Sequence, residues 1–547
     1  MKKVRNRDVP YHHRHAPILA ILGILAALVA LTLLAPGCGG DTTTTAPVGT
    51  ETTGAASTDT TAAAGVKTGG TLKVGMQAGN GQYDPVMMAG SVGDILLTVQ
   101  VLENLVDLAQ DFTLIPQLAT EWKTDDAKVW KVTLQDGVKF TNGEAFTADD
   151  VVYSFGRLQD PKSPMAEVLA NLTSVVADDP THVTFTLSSP DAEFMSVISD
   201  YRAKMFCKTV KDPMTELVGT GPYMLESYAA EDRAVLKANP DYWGTDENGA
   251  KLPYLDGVEF VYSPDTAGQI EGLRGGTLNW VGGITSDQKA TVESDPNLKT
   301  ISTPTNYCNE LQIRVDQEPG SKKEFRQALW YGTDRQAIID LAAPGVADPG
   351  NGTLVGPAYK SYYLAESPAY DPAKARELLA KAGYPNGTKL RLIAQTADPI
   401  PAVATAWQAQ MKEIGVEVEI QQVPTDVFYS EDGEDNWYKA PFGIVDWGTR
   451  ATPIVYFNLA LTSTAAWNYG QWKNPEFDAI VAKIPGTIDE AARGDLYKQA
   501  QKILQDEVPM INFVVLLGVA GESKNVDGIK LNPDWAHTLF RTAHFTE

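Results

Sequence analysis

A chain of 547 residues, 43% of them hydrophobic, is too long for one core, and length alone predicts about three to four domains. Its formal charge of −24 sets it against nucleic acid and anionic lipid surfaces, which excludes both as main partners. Beyond the first 15 residues only His182, His537 and His544 remain, and no HExxH, GxSxG or P-loop spacing occurs. The residues of a metallohydrolase or a Ser-His-Asp hydrolase are largely missing.

Lys2, Lys3, Arg5, Arg7 and Arg14 precede the apolar run Ile18–Leu34, and Ala35-Pro36-Gly37 leads to Cys38. This is the pattern of a secretory signal, and it resembles a bacterial lipobox in which Cys38 becomes the lipidated first residue. Ala35 departs from the Leu that the pattern prefers. An uncleaved membrane anchor is the alternative, and both readings put the body outside the cytoplasm. Asp41–Gly65, rich in Thr and Ala, has too little apolar surface to fold and reads as a flexible linker.

Gly70–Met76 alternates as a first strand and runs into a loop, Gly79–Val86. Ile95–Leu108 carries helical spacing. Lys128–Pro161 reads as strand, turn, short strand and helix: Trp130, Val132 and Leu134 share one face, Asp136-Gly137 turns the chain, and Thr147 with Asp150 opens the helix as a capping-box-like pair. Val183–Leu187 is another strand. Ser321 and Glu324 predict a capping box, and Asp371-Pro372 with Gly383 bounds a further helix. Leu390–Ala397, Ala402–Ile414 ending at Gly415, and Val416–Val423 form a βαβ unit. Glu476–Ile484 and Ala491–Glu507 are helices, and Met510–Val519 is an apolar strand. Cys207 and Cys308 either pair or stand as buried thiols.

Seven stretches together resemble the family 5 extracellular solute-binding proteins of ABC importers, the peptide, nickel and oligosaccharide group. They are Glu103–Leu108 (ENLVDL), Ile115–Trp122, Asp136–Ser154, Gly219–Tyr223 (GTGPY), Asn239–Gly244 (NPDYWG), Glu324–Ile339 and Tyr370–Pro385, in the family's order. The resemblance implies an α/β, type II periplasmic-binding-protein fold of two lobes and three subdomains around a central cleft and hinge. It divides the chain into signal peptide 1–37, lipidated Cys38 and linker to 65, lobe one at 66–108, 219–302 and 521–547, a small inserted subdomain at 109–218, and lobe two at 303–520.

The same resemblance implies a monomeric, non-enzymatic protein. It captures a peptide-like, oligosaccharide or anionic solute for permease and ATPase subunits, needs no cofactor or metal, and is held at the membrane by its lipid. A secreted carboxylate-dependent hydrolase and a ligand sensor for a membrane receptor are the alternatives. Loop and strand-end aromatics Tyr83, Trp280, Tyr307 and Trp447 are the candidate cleft residues. In peptide-binding relatives an Asp shortly after the Trp447 position pairs with the ligand's α-amino group. Here Gly448, Thr449 and Arg450 follow, so Arg450 is either the candidate partner of a ligand carboxylate or phosphate or a member of an internal salt bridge.

Overall fold

The structure, a computed structural model, describes residues 66–547 except 80, 82, 85, 87–91, 214–215, 431–435, 535–536 and 547. The expected signal segment, Cys38 and the Thr-rich linker lie outside the described residues. In chain order the strands are β1 (Thr71–Met76), β2 (Val106–Leu108), β3 (Leu114–Pro116), β4 (Ala119–Lys123), β5 (Val129–Leu134), β6 (Leu172–Asp179) and β7 (His182–Leu187). They continue with β8 (Tyr223–Ala229), β9 (Arg233–Ala238), β10 (Gly257–Tyr262), β11 (Trp280–Gly282), β12 (Leu298–Ile313) and β13 (Ala347–Asp348). Then come β14 (Thr388–Gln395), β15 (Val416–Val423), β16 (Phe442–Trp447) and β17 (Met510–Ser523), and the short pair β18 (Val526–Asp527) and β19 (His544–Phe545) is last.

One large sheet takes the order β15-β14-β16-β12-β17-β11-β1-β10-β9-β8, with β13 also paired to β17. Its two halves have separate cores. Leu72, Val74, Phe260, Trp280 and Phe540 pack at the β1 end, and Leu311, Leu392, Trp407, Ile444 and Phe513 pack at the β14 end. The antiparallel pair β12–β17 belongs to both, running from Leu298 opposite Ser523 to Gln312 opposite Met510.

A second sheet, β4-β5-β7-β6, stands apart. Trp130, Val132 and Leu134 of β5 are buried as their alternation requires. The helix Ala148–Leu158 lays Val151, Phe155 and Leu158 into the same core as Val132 and Phe185. The Asp150 carboxylate closes its N-terminus, accepting from the Thr147 N–H and hydroxyl, both at 2.9 Å.

Two local expectations fail. The predicted helix over Ile95–Leu108 stops at Thr98, and Val106–Leu108 is β2. The backbone in between is claimed from elsewhere: Gly221 N–H donates to the Val101 carbonyl at 2.9 Å, and Tyr223 N–H to that of Gln100 at 3.1 Å. Ser321 caps nothing, because the helix Lys323–Tyr331 begins after Lys322; its hydroxyl donates to Glu318 at 3.0 Å. Asp371 does cap, accepting from Lys374 N–H at 2.9 Å, and Gly383 follows with a φ of 95°. Cys207 and Cys308 are free, buried thiols.

Three of the family-like stretches converge on the fully buried Glu103. Its carboxylate accepts from the Thr220 hydroxyl at 2.9 Å, the Trp243 indole N–H at 2.9 Å and the Tyr242 hydroxyl at 3.0 Å. Burial pushes the carboxyl up from its usual range, and these donors pull it back. Glu103→Ala leaves three donors, two of them on the buried Thr220 and Tyr242, without this acceptor. It is expected to cost about 3 kcal/mol or more, read as a lowered urea midpoint at unchanged m-value; a loss under about 1 kcal/mol contradicts the role.

Candidate functional site

The second half of the large sheet ends in a loop that its own tyrosines hold. Beyond β16, Gly448–Arg450 is fixed by Tyr456, whose hydroxyl donates to the Gly448 carbonyl at 2.9 Å and accepts from the Arg450 N–H at 3.0 Å. The Tyr359 hydroxyl donates to the Arg450 carbonyl. Burial pushes the Tyr456 phenol up to about 12, so it stays a donor at neutral pH.

This loop borders a cavity of about 460 Å³ between the two halves. Tyr201, Ile95 and Gly283–Ser286 come from the first half, and Asp398, Pro399 and Gly448–Arg450 from the second; Thr305, Tyr307 and Leu516–Val519 of the shared strands line it between them. The Arg450 guanidinium makes no hydrogen bond or ion pair with any described residue, and Tyr201 of the other half feels its charge. A half-exposed cation with no partner in a cavity of this size is suited to an anion.

A larger cavity of about 730 Å³ adjoins it, lined by Asp107–Asp111, Lys530–Asn532 and His537 on one half and by Asp348, Pro357, Ala358 and Lys360 on the other. Thr305 and Leu517 border both cavities. Tyr201 lines the smaller cavity and His537 the larger, and their rings meet edge-on at 5.2 Å. Contacts bridge the halves nearby. Lys360 pairs with Asp111 at 3.1 Å, and Phe112 rests on Tyr359 at 4.5 Å between ring centres. Glu193, beside the second sheet, is buried against the helix Glu490–Glu507, where Tyr497 donates to one carboxylate oxygen and Arg493 lies 3.7 Å from the other.

Of the residues singled out from sequence, Tyr307 and Arg450 line the smaller cavity. Tyr307 also donates to Asp446 at 2.7 Å, so the acid before Trp447 is engaged on the opposite face of β16 from the indole. Trp447 is 3% exposed and packs behind the loop, edge-on to Tyr456 at 5.6 Å. Tyr83 and Trp280 border neither cavity. Tyr83 packs edge-on against Tyr228 at 5.2 Å, and Trp280 is fully buried against Phe540 on the face of β11 that joins the β1-end core. Sequence reasoning passed over Tyr201, Thr305, Tyr359 and Asp398. Only Asp398, in the turn-like TADPIP run, carries a local signal.

Glu310 on β12 lies beside the Trp447 indole at 3% exposure, and burial pushes its carboxyl up to about 8. An unfolded chain ionises this group near the ordinary value of 4.5. Between those values the folded state holds the extra proton, so stability falls as pH rises from about 5 to 8, by up to about 1.4 kcal/mol per pH unit. Glu310→Gln removes that slope. The variant's melting temperature is expected to gain on the wild type as pH rises across this window; a constant difference contradicts the assignment.

Residues 113–469 match the family described as bacterial extracellular solute-binding proteins, family 5 Middle. The chain is 28% identical over 464 residues to the glutathione-binding protein GsiB of Escherichia coli O6:K15:H31 (strain 536 / UPEC), covering 79% of this chain and 86% of that protein. Among solved structures it is similar to HbpA2 from Haemophilus parasuis, with a TM-score of 0.76 at 24% identity over 87% of this chain and 100% of that one. It is also similar to the periplasmic murein tripeptide binding protein MppA in its unliganded open form, with a TM-score of 0.78 at 22% identity over 88% and 99%. Among the described residues no helix is long and apolar enough to cross a membrane.

Proposed function

The chain belongs to the bacterial extracellular solute-binding proteins of family 5, and from that we propose that it captures a small solute between two lobes and delivers it to the permease and ATPase of an ABC importer. The lobes are the two halves of the large sheet, and β12–β17 is the hinge. The chain works as a monomer, tethered through a lipid on Cys38 and the linker that follows. The observation that carries the reading is the unpaired Arg450 guanidinium in the inter-half cavity.

Arg450 stands where peptide-binding relatives place an amine-pairing acid, so the solute presents an anionic group there. A carboxylate or phosphate takes two parallel hydrogen bonds from a guanidinium. Relatives named for glutathione and a murein tripeptide support an acidic, peptide-like solute over a neutral sugar. Tight capture needs no covalent step, in keeping with relatives named as binding proteins.

A thermal-shift panel of glutathione, unmodified di- and tripeptides, oligosaccharides, organic anions and nickel tests this directly, because a ligand of the native state raises its apparent stability. An anionic member is expected to raise the melting temperature, and Arg450→Ala to weaken its binding at least tenfold. Tight binding of a neutral oligosaccharide or a plain peptide, indifferent to Arg450→Ala, overturns the reading.

The bridges between the halves favour the closed arrangement. Glu193→Ala is therefore expected to enlarge the radius of gyration in small-angle scattering; an unchanged radius removes Glu193 from closure.

A further inference from the structure

Arg450 is not the only unpaired charge in the smaller cavity. Asp398 lines it too, from the same half of the large sheet, and its carboxylate makes no hydrogen bond or ion pair with any described residue. The third charged residue of the lining, Asp534, comes from the other half, and its carboxylate lies 3.7 Å from His537 Nε2. Asp446, the acid closest to Arg450 in sequence, accepts from Tyr307 at 2.7 Å and from Tyr429 and Gln395, so it is already engaged.

The two unpaired charges stand at one place in the fold. β14 and β16 are parallel neighbours, in register from Leu392 opposite Phe442 to Ala394 opposite Ile444. A hydrogen bond from the Gln395 amide to Asp446 ties their ends together. Asp398 comes three residues after Gln395, the last of β14, and Arg450 three after Trp447, the last of β16. The carboxyl ends of parallel strands are where α/β sheets hold their ligands.

The Asp398 turn is fixed, as the Arg450 loop is. Thr396 N–H donates to the Val423 carbonyl at 3.1 Å, and Ile400 N–H to that of Ala397 at 3.0 Å, where the helix Ile400–Glu413 starts. An acid beside a helix start commonly caps it. This helix has no side-chain cap, so the Asp398 carboxylate is left to the cavity it lines.

In open solvent an exposed carboxylate is hydrated, and an ion pair with it adds little. Between halves that close on a solute the balance changes. Tyr201 and Gly283–Ser286 line the cavity from the first half, and closure brings them over Asp398 and Arg450 and removes water. Each charge then requires a partner of opposite sign, because an unpaired charge away from water is costly. A purely anionic solute satisfies Arg450 but sets a second negative charge against Asp398.

We propose that Asp398 takes an ammonium or guanidinium group of the captured solute while Arg450 takes its carboxylate or phosphate, so that the preferred solute is zwitterionic and lies along the carboxyl edge of β14 and β16. The proposal rests on the solute-binding reading and on the anionic partner of Arg450, and it supplies the group at the solute's other end.

The test uses the mature protein and the ω-amino acids from β-alanine to 8-aminooctanoate. Each is paired with the monocarboxylate that has a methyl group in place of the ammonium and with the dicarboxylate that has a carboxylate there. Binding is read by titration calorimetry. At one chain length the amino acid is expected to bind roughly tenfold or more tightly than the monocarboxylate, and the dicarboxylate more weakly than either. Asp398→Asn brings the first ratio to about one and strengthens dicarboxylate binding. Asp398→Glu, longer by one methylene, keeps the ratio and moves the optimum to a shorter chain. A ratio near one at every length, a ratio that survives Asp398→Asn, an optimum unmoved by Asp398→Glu, a dicarboxylate that binds as tightly as the amino acid, or no saturable binding of any amino acid overturns the subsite. If the monocarboxylates bind, lose their affinity in Arg450→Ala and gain nothing from the ammonium, Asp398 alone is wrong. If the ammonium acts through Asp398 and Arg450→Ala changes nothing, the subsite stands and the anionic partner of Arg450 is wrong.

Discussion

Everything in this molecule hangs on one antiparallel ladder. β12 is 16 residues long and β17 is 14, and they stay paired from one half of the large sheet to the other. At about 3.3 Å per residue that is a rod of roughly 50 Å, enough to serve two cores. Its register shifts between Pro304 and Tyr307, where Thr305 turns its hydroxyl to the Leu516 carbonyl instead of continuing the pairing. A bulge bends and twists a strand locally. Here it falls between the two halves, where Thr305 and Leu517 border both cavities. The ladder thus joins the halves and leaves the space between them as the place for a solute.

The chemistry of that space is set by loops rather than by the ladder. Two tyrosine hydroxyls from different parts of the chain hold the backbone of Gly448–Arg450, so the guanidinium projects from a fixed base. A preorganised charge loses little freedom on meeting its partner. The opposite face of the ladder buries the Glu310 carboxyl beside the Trp447 indole.

The fold was legible in sequence where periodicity and capping act locally. β5 alternates as written, Asp150 caps its helix, and Asp371, Pro372 and Gly383 bound theirs. The stretches that identify the family turn out to be architectural: ENLVDL, GTGPY and NPDYWG meet at Glu103, where one buried carboxylate ties three distant segments together. Where tertiary contacts override local pattern, sequence misled. Val99–Val101 has helical spacing, but its carbonyls serve Gly221 and Tyr223, more than a hundred residues on. The candidate site was half legible. Arg450 stood out as a departure at a recognisable position, whereas Tyr359 reaches it across 91 residues with no local mark. Trp280 stood out as a strand-end aromatic in a Gly-rich stretch, yet its side chain packs against Phe540 in the core at the β1 end.

The central claim is that Arg450 meets an anionic group of the captured solute between the two halves. A crystal structure of the mature protein with the first solute that raises its melting temperature tests it most directly. The account predicts that solute in the 460 Å³ cavity, with a carboxylate or phosphate oxygen within hydrogen-bonding distance of the Arg450 guanidinium. A solute bound there with Arg450 turned away, or bound outside the cavity, contradicts it.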